Sequence, residues 1–140
     1  MLIREFVYPQ DYEQAAQLWR SMESGVRFGA SDTPAEIEKK TKCNPELFLV
    51  AEEDGKVIGT LIGGFDGRRG TVYHLAVARA QRGRGVATQL LNELEARLKP
   101  KGCTRAFLVV YADNAPARAL YEKLNWGLMP DDVVYAKDLS

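Results

Sequence analysis

Cysteine and histidine are scarce in this chain: Cys43, Cys103 and a single histidine, His74, among 140 residues. The cysteines stand far apart with no C-x-x-C pairing, so neither a disulfide framework nor a thiolate metal site is supported. One histidine is a poor start for a histidine-based metal centre, and no metal is expected. Net charge is absent as well. Nineteen Lys and Arg balance nineteen Asp and Glu, which argues against nucleic-acid or membrane-surface binding, since both usually leave a basic excess. No window of about 18 apolar residues exists, and the N-terminal MLIREFVYPQ has no signal-peptide core. The expectation is a soluble, cytoplasmic protein with no nucleic-acid or membrane partner.

What is present is an ordinary globular composition, 46% hydrophobic and 27% charged. The length suits one domain with a real core, spanning residues 1–140, and is too short for two comfortable ones. The first apolar run, residues 2–8, reads as a strand ended by Pro9. Tyr12, Ala15, Ala16, Trp19 and Met22 follow helical spacing. Thr33-Pro34-Ala35-Glu36 reads as a capping box with proline at the first helical position, and Asn44-Pro45 ends the helix it opens.

Residues 47–52 and 56–65 are strand-like runs joined through Asp54-Gly55, a strong hairpin signal. A turn at Asp66–Gly70 leads to another strand over 71–78. Leu90, Leu91, Leu94 and Leu98 mark one face of a helix starting at Val86, closed by Pro100 and Gly102. Residues 104–111 form a nearly continuous apolar strand, expected to be buried on both faces. Asn114 caps a helix with inner face Ala117, Leu120, Tyr121 and Leu124, and Val133–Tyr135 suggests a last strand. The order is β-α-α-β-β-β-α-β-α-β. It predicts an α/β (α+β) fold with a mixed, mainly antiparallel sheet, whose fourth and fifth strands are parallel because a helix crosses between them.

The stretch QRGRGVATQLL, residues 81–91, lies at the junction between the fourth strand and that helix. It is not a P-loop, since Gly-Lys-Ser/Thr occurs nowhere in the chain. Nor is it a good dinucleotide fingerprint, because Gly83-x-Gly85 is followed by Thr88 where a glycine or alanine belongs. It still has the parts of an anion site. The first amides of a helix lack intrahelical partners, and the helix dipole adds roughly half a positive charge there. Gly83 and Gly85 let the backbone approach a phosphate, while Arg82 and Arg84 can add charge. Arg68, Arg69 and Arg79 stand either on the same rim or on a solvated basic face.

Arg82-Gly83-Arg84-Gly85-Val86-Ala87 resembles the Arg/Gln-x-x-Gly-x-Gly/Ala signature of the GNAT superfamily of N-acetyltransferases. Asn114-x-x-Ala117-x-x-Leu120-Tyr121-x-Lys123-Leu124-Asn125-Trp126 looks like that family's second signature, with Asn125 in place of a glycine and Trp126 in place of a phenylalanine. Asparagine is the next best residue for a left-handed helix end, so the turn should survive. The resemblance implies an acyl-CoA N-acyltransferase fold with fourth and fifth strands splayed around acetyl-CoA. It implies pyrophosphate binding at Arg82, Gly83, Arg84, Gly85, Val86 and Ala87, pantetheine contacts through the backbones of Leu75 and Val77, and further coenzyme contacts from Asn114, Ala117 and Tyr121. Tyr121 would be the general acid that protonates the departing thiolate.

The resemblance further implies acetyl transfer to a primary amine by direct attack in a ternary complex. The amine acceptor, a small molecule or a protein amine, is left open by the sequence. A non-catalytic acyl-CoA-binding sensor or regulatory module is the alternative, and a homodimer through the C-terminal strand is a possible assembly. Many relatives are similar in carrying a glutamate base on the fourth strand, but TVYHLAV has none. A water chain to backbone carbonyls is the default base, with Tyr73 and His74 as alternatives. Strand alternation puts Thr71 and Tyr73 on the face of Leu75 and His74 on the other. Acceptor choice would fall to Trp19, Glu23, Arg27, Phe28 and Asp32, around the stretch 23–32.

Overall fold

The computed structural model describes residues 1–23 and 26–140. Among these residues there are five strands: β1 (Leu2–Glu5), β2 (Phe48–Glu53), β3 (Lys56–Phe65), β4 (Arg69–Val77) and β5 (Arg105–Leu108). They form one sheet in the order β1-β2-β3-β4-β5, antiparallel except for the parallel pair β4–β5. Four helices cover it: α1 (Tyr12–Ser21), α2 (Pro34–Thr41), α3 (Val86–Leu98) and α4 (Ala115–Lys123).

The turns follow their sequence chemistry. Asp54 and Gly55 both take positive φ, 52° and 76°, the geometry that an Asp-Gly hairpin turn requires. The Thr33 side chain accepts the Glu36 amide with Pro34 in the first turn, one half of the expected capping box, while the Glu36 carboxylate pairs with Lys39. Beyond α4, Asn125 adopts φ 68°, its amide donates to the Glu122 carbonyl, and the Trp126 amide donates back to the Tyr121 carbonyl at 2.9 Å. This is a Schellman end with asparagine in the left-handed position.

Two cores lie on opposite faces of the sheet. On one, Trp19, Ala15, Ala16 and Ile37 of α1 and α2 pack against Phe48, Val50, Ile62 and Ala76. On the other, Leu90, Leu91, Leu94 and Leu98 of α3 pack against Leu49, Leu61 and Val72. Each fully buried aliphatic side chain contributes on the order of 1.5–3 kcal/mol, so the leucine row is enough to hold α3 down. Gly63 lets α3 come close, since a Cβ there would fall 2.6 Å from Leu94 Cδ1 and 2.6 Å from the Leu47 carbonyl.

β4 breaks the alternation rule. Thr60 of β3 is opposite Ala76 while Ile62 is opposite Tyr73, so three steps on β4 face two on β3. The extra residue is a β-bulge, with His74 at φ 48°. Val72, Leu75 and Val77 therefore point into the α3 core, while Ala76 belongs to the α1–α2 core. Two expectations change at the C-terminal side. Val133–Tyr135 forms no strand and is exposed. Without that neighbour β5 is an edge strand, ends at Leu108, and leaves Val109 61% exposed rather than buried on both faces.

Candidate active site

Gly83 and Gly85 carry φ of 80° and 78°, left-handed values that glycine adopts without a Cβ penalty. Gly85 is the N-cap residue of α3, and no side chain caps that end. The helical ladder begins only with the Gln89 amide donating to the Gly85 carbonyl at 3.0 Å. The amides of Val86, Ala87 and Thr88 thus face outward at the positive end of a 13-residue helix. Such an end attracts phosphate oxygens.

The two loop arginines divide their work. Arg84 forms a two-pronged bond to Glu53, at 2.8 and 2.9 Å, and also contacts Gln81. Its guanidinium is held above its ordinary pKa by that carboxylate. Arg84 therefore ties the loop to the β2–β3 hairpin, whereas among the described residues Arg82 reaches only the Val77 carbonyl, at 3.4 Å, and Met22 sulfur. Arg79 pairs with Glu23. Arg68 and Arg69 sit at the start of β4, about 25 Å of strand away from the loop that follows its end. There Asp66 accepts both their amides at 2.8 Å and Arg69 lies over the Phe107 ring.

β4 and β5 pair from Arg69↔Arg105 to Val72↔Leu108 and then part. The bulge turns β4 away at the next two residues, so Leu75 and Val77 carry backbone groups with no β5 partner. This is the splay expected for an inserted chain. Past β5, the Asn114 side chain accepts the Ala117 amide at 3.3 Å, which makes Asn114 the cap of α4 and orients Ala117 at its first turn. Tyr121, on the inner face of α4, packs into the α3 core beside Trp126, ring centroids 6.3 Å apart. Burial pushes its phenol above the ordinary value of 10, so it is held in the protonated, donating form. Tyr121 also lines a cavity of about 750 Å³ between α3, β5 and α4.

The opposite face holds an arrangement that alternation alone does not foresee. Because of the bulge, Thr71, Tyr73 and His74 line one cavity of about 620 Å³ on the α1–α2 side, and Leu75 is the residue facing away. The expected separation of Tyr73 from His74 is thereby corrected. His74 Nε2 lies 2.6 Å from Asp32 Oδ1, and the Asp32 side chain is only 7% exposed. Asp32 Oδ2 accepts the Gly29 amide at 2.9 Å, and the Tyr12 hydroxyl donates to the Asp32 carbonyl at 2.7 Å. The bulge itself is held by Trp19 Nε1–H donating to Thr60 Oγ1, which donates to the His74 carbonyl, both at 2.8 Å. The Trp19 ring meets the imidazole edge-on at 4.9 Å.

Of the expected acceptor residues, Trp19 and Asp32 thus gather at His74. Glu23 pairs with Arg79, while Phe28 stacks under Arg20 at 4.2 Å. Arg27 lies over Tyr111 at 4.6 Å, linking the α1–α2 connection to the segment after β5. Ser24 and Gly25 of the same stretch are outside the described residues. The one sequence signal for the bulge was the apolar spacing in TVYHLAV, three from Val72 to Leu75 and then two to Val77.

The family model for the acetyltransferase (GNAT) family matches residues 12–126. The chain belongs to the GNAT acetyltransferase family. It is 37% identical over 139 residues to the acetyltransferase SG1711 of Sodalis glossinidius, covering 99% of this chain and 96% of that protein. Ard1 of Thermoplasma volcanium superposes with a TM-score of 0.77 at 25% identity, over 88% of this chain and 80% of that one. The structure of AAC(6')-Iy in complex with the bisubstrate analogue CoA-S-monomethyl-acetylneamine gives a TM-score of 0.78 at 19% identity, over 98% and 97% of the two chains. This last likeness is one of fold. Among the described residues, no helix of this acetyltransferase is long and apolar enough to cross a membrane.

Proposed function

We propose that the protein is a single-domain N-acetyltransferase, residues 1–140, that transfers the acetyl group of acetyl-CoA to a primary amine by direct attack in a ternary complex. The observation that carries this reading is the uncapped N-terminus of α3, with its left-handed glycines, set directly behind two parallel strands that part. The pyrophosphate sits on the amides of Gly83–Thr88 with Arg82 beside it, and Arg84 acts by bracing the loop through Glu53. Arg68 and Arg69 take no part.

The pantetheine arm enters the opening between β4 and β5 and bonds the backbones of Leu75 and Val77. An N–H there polarises the thioester carbonyl, an effect worth on the order of 10²–10³ in rate for acyl transfer. The amine nitrogen attacks the acyl carbon, the C–S bond breaks, and the Tyr121 phenol gives its proton to the leaving thiolate. Asn114 holds Ala117 and the first turn of α4, and through it the position of Tyr121. The bound analogue of AAC(6')-Iy joins coenzyme A to an aminoglycoside amine, which supports the same division of labour here, with an acceptor of this chain's own.

The test is release of coenzyme A thiol from acetyl-CoA across a panel of amino acids, polyamines, aminoglycosides and peptide amines. Acetylated product with stoichiometric thiol is the expected result. Tight coenzyme A binding with no turnover on any amine would instead support a binding module without catalysis.

A further inference from the structure

We propose that His74 is the general base of this acetyltransferase and that Asp32 is its positioning residue; this rests on the acetyl-transfer reading above. A neutral amine is the only form that attacks. An α-amine is roughly a tenth neutral at pH 7 and a lysine amine well under 0.1%, so a base within reach of the nitrogen matters for most acceptors. β4 carries no acidic residue, but it carries a histidine two residues past the last β5 pairing, Val72↔Leu108. The next residue along is Leu75, whose backbone borders the opening between the strands.

The bulge does two things that an unbroken strand would not. It turns the His74 side chain into the α1–α2 cavity, and it leaves Leu75 on the face of Tyr121. An acyl carbon in the opening therefore has a phenol on one side of the sheet and an imidazole on the other. The amine arrives from the His74 side, and the sulfur leaves toward Tyr121.

The Asp32 contact selects the chemistry of the ring. A buried carboxylate accepts, so it binds Nε2–H, and the Nδ1 lone pair is the one left to take a proton. Both Asp32 oxygens are occupied, Oδ1 by His74 and Oδ2 by the Gly29 amide, which fixes the carboxylate's orientation. The left-handed backbone at His74 is a strained conformation kept in place by the Trp19–Thr60 chain, as expected where geometry serves function. A histidine needed only for packing requires neither a buried carboxylate nor a bulge.

The step balances as follows. His74 Nδ1 takes one proton from the substrate ammonium, the neutral nitrogen forms the C–N bond, the C–S electron pair leaves on sulfur, and sulfur takes the Tyr121 proton as the nitrogen sheds its second proton to water. His74 then loses its proton to water and Tyr121 regains one. Other titrating groups around the cavity are already engaged or different in kind. Glu36 pairs with Lys39 at 2.7 Å, and Asp66 holds the Arg68 and Arg69 amides. Lys40 donates to the Cys43 carbonyl and is shifted down by burial. The Cys43 thiol and the Tyr73 phenol line the same cavity, and the Tyr12 hydroxyl donates to the Asp32 carbonyl rather than to its carboxylate.

The experiment compares wild type with His74→Asn, His74→Gly and Asp32→Asn, using an amine that wild type accepts. Asparagine and glycine both tolerate the left-handed backbone, so these changes remove the base and keep the bulge. Calorimetric coenzyme A affinity is measured for each. His74→Asn is expected to lower kcat/KM for the amine about 10²-fold or more, to flatten the acidic limb of its pH profile, and to leave coenzyme A affinity within about twofold. Imidazole added to His74→Gly should restore at least about tenfold of the rate. Asp32→Asn should lower kcat about tenfold with coenzyme A affinity kept, because an amide in its place no longer fixes the ring tautomer that leaves Nδ1 to take the proton. A His74→Asn enzyme within about threefold of wild type with an unchanged acidic limb, or a His74→Gly enzyme that imidazole does not rescue, overturns the assignment. Wild type that binds coenzyme A and acetylates no amine fails earlier, and sinks the acetyl-transfer reading itself.

Discussion

The two faces of the sheet are built in different ways. On the α3 face the proposed cofactor cradle is local: a strand end, two glycines and a helix start within ten residues, 77–86. Its chemistry belongs mostly to the backbone. On the α1–α2 face the proposed acceptor-side cluster is assembled from residues 42 positions apart, Asp32 and His74, with Trp19 and Thr60 holding the bulge that carries His74. Its chemistry belongs to side chains, and its geometry to a single inserted residue in β4. The first face should fail when the backbone is altered; the second should fail when one hydroxyl or carboxylate is removed.

The largest effect should come from Gly85→Val. A Cβ at that position meets open space, so nothing clashes. Yet φ of 78° is a region that a β-branched residue avoids, at a cost of more than about 1–2 kcal/mol. The loop should relax toward a conformation in which its amides no longer converge, and calorimetric coenzyme A affinity should fall by about 10²-fold. Retained affinity would mean that side chains, rather than amides, hold the pyrophosphate.

Tyr121→Phe is next. The ring and its contact with Trp126 are kept, so coenzyme A affinity should hold while kcat drops about 10–10²-fold, at the low end for loss of a general acid. Steady-state and single-turnover rates check this. Thr60→Val should act on the other face. It strands the Trp19 Nε1–H and the His74 carbonyl together, a loss of about 1–3 kcal/mol in urea unfolding, with amine KM and kcat changed and coenzyme A affinity kept. The smallest effect should be that of Arg84→Gln. Its guanidinium is engaged with Glu53 at the surface, so coenzyme A affinity should fall by less than about threefold. A larger loss would return Arg84 to the phosphates.

The same contrast explains what was legible in the sequence. Helix caps, the Asp54-Gly55 turn, the leucine row of α3 and the left-handed Asn125 all depend on residues close in the chain, and all appear as expected. The parallel β4–β5 pair follows from connection rules. The geometry of the 82–87 loop, with its left-handed glycines and uncapped helix start, was readable for this reason. The α1–α2 face was not, because strict alternation along TVYHLAV puts Thr71 and Tyr73 with Leu75 and apart from His74, which the inserted residue reverses, and because Asp32 lies in a turn that no periodicity marks. The absent last strand has a different cause. Val133–Tyr135 has strand-like residues, but pattern does not supply a hydrogen-bonding partner, and β5 stops at Leu108 without one.

The proposed division of the sheet into a cofactor face and an acceptor face is tested most directly by backbone-amide and His74 ring chemical shifts during a titration with coenzyme A. The account predicts the largest changes at Gly83, Gly85, Val86, Ala87 and Thr88 and along Leu75–Val77, with the imidazole of His74 and the Asp32 amide nearly still. Shifts centred on the His74 cavity, with the 83–88 amides unmoved, would contradict it.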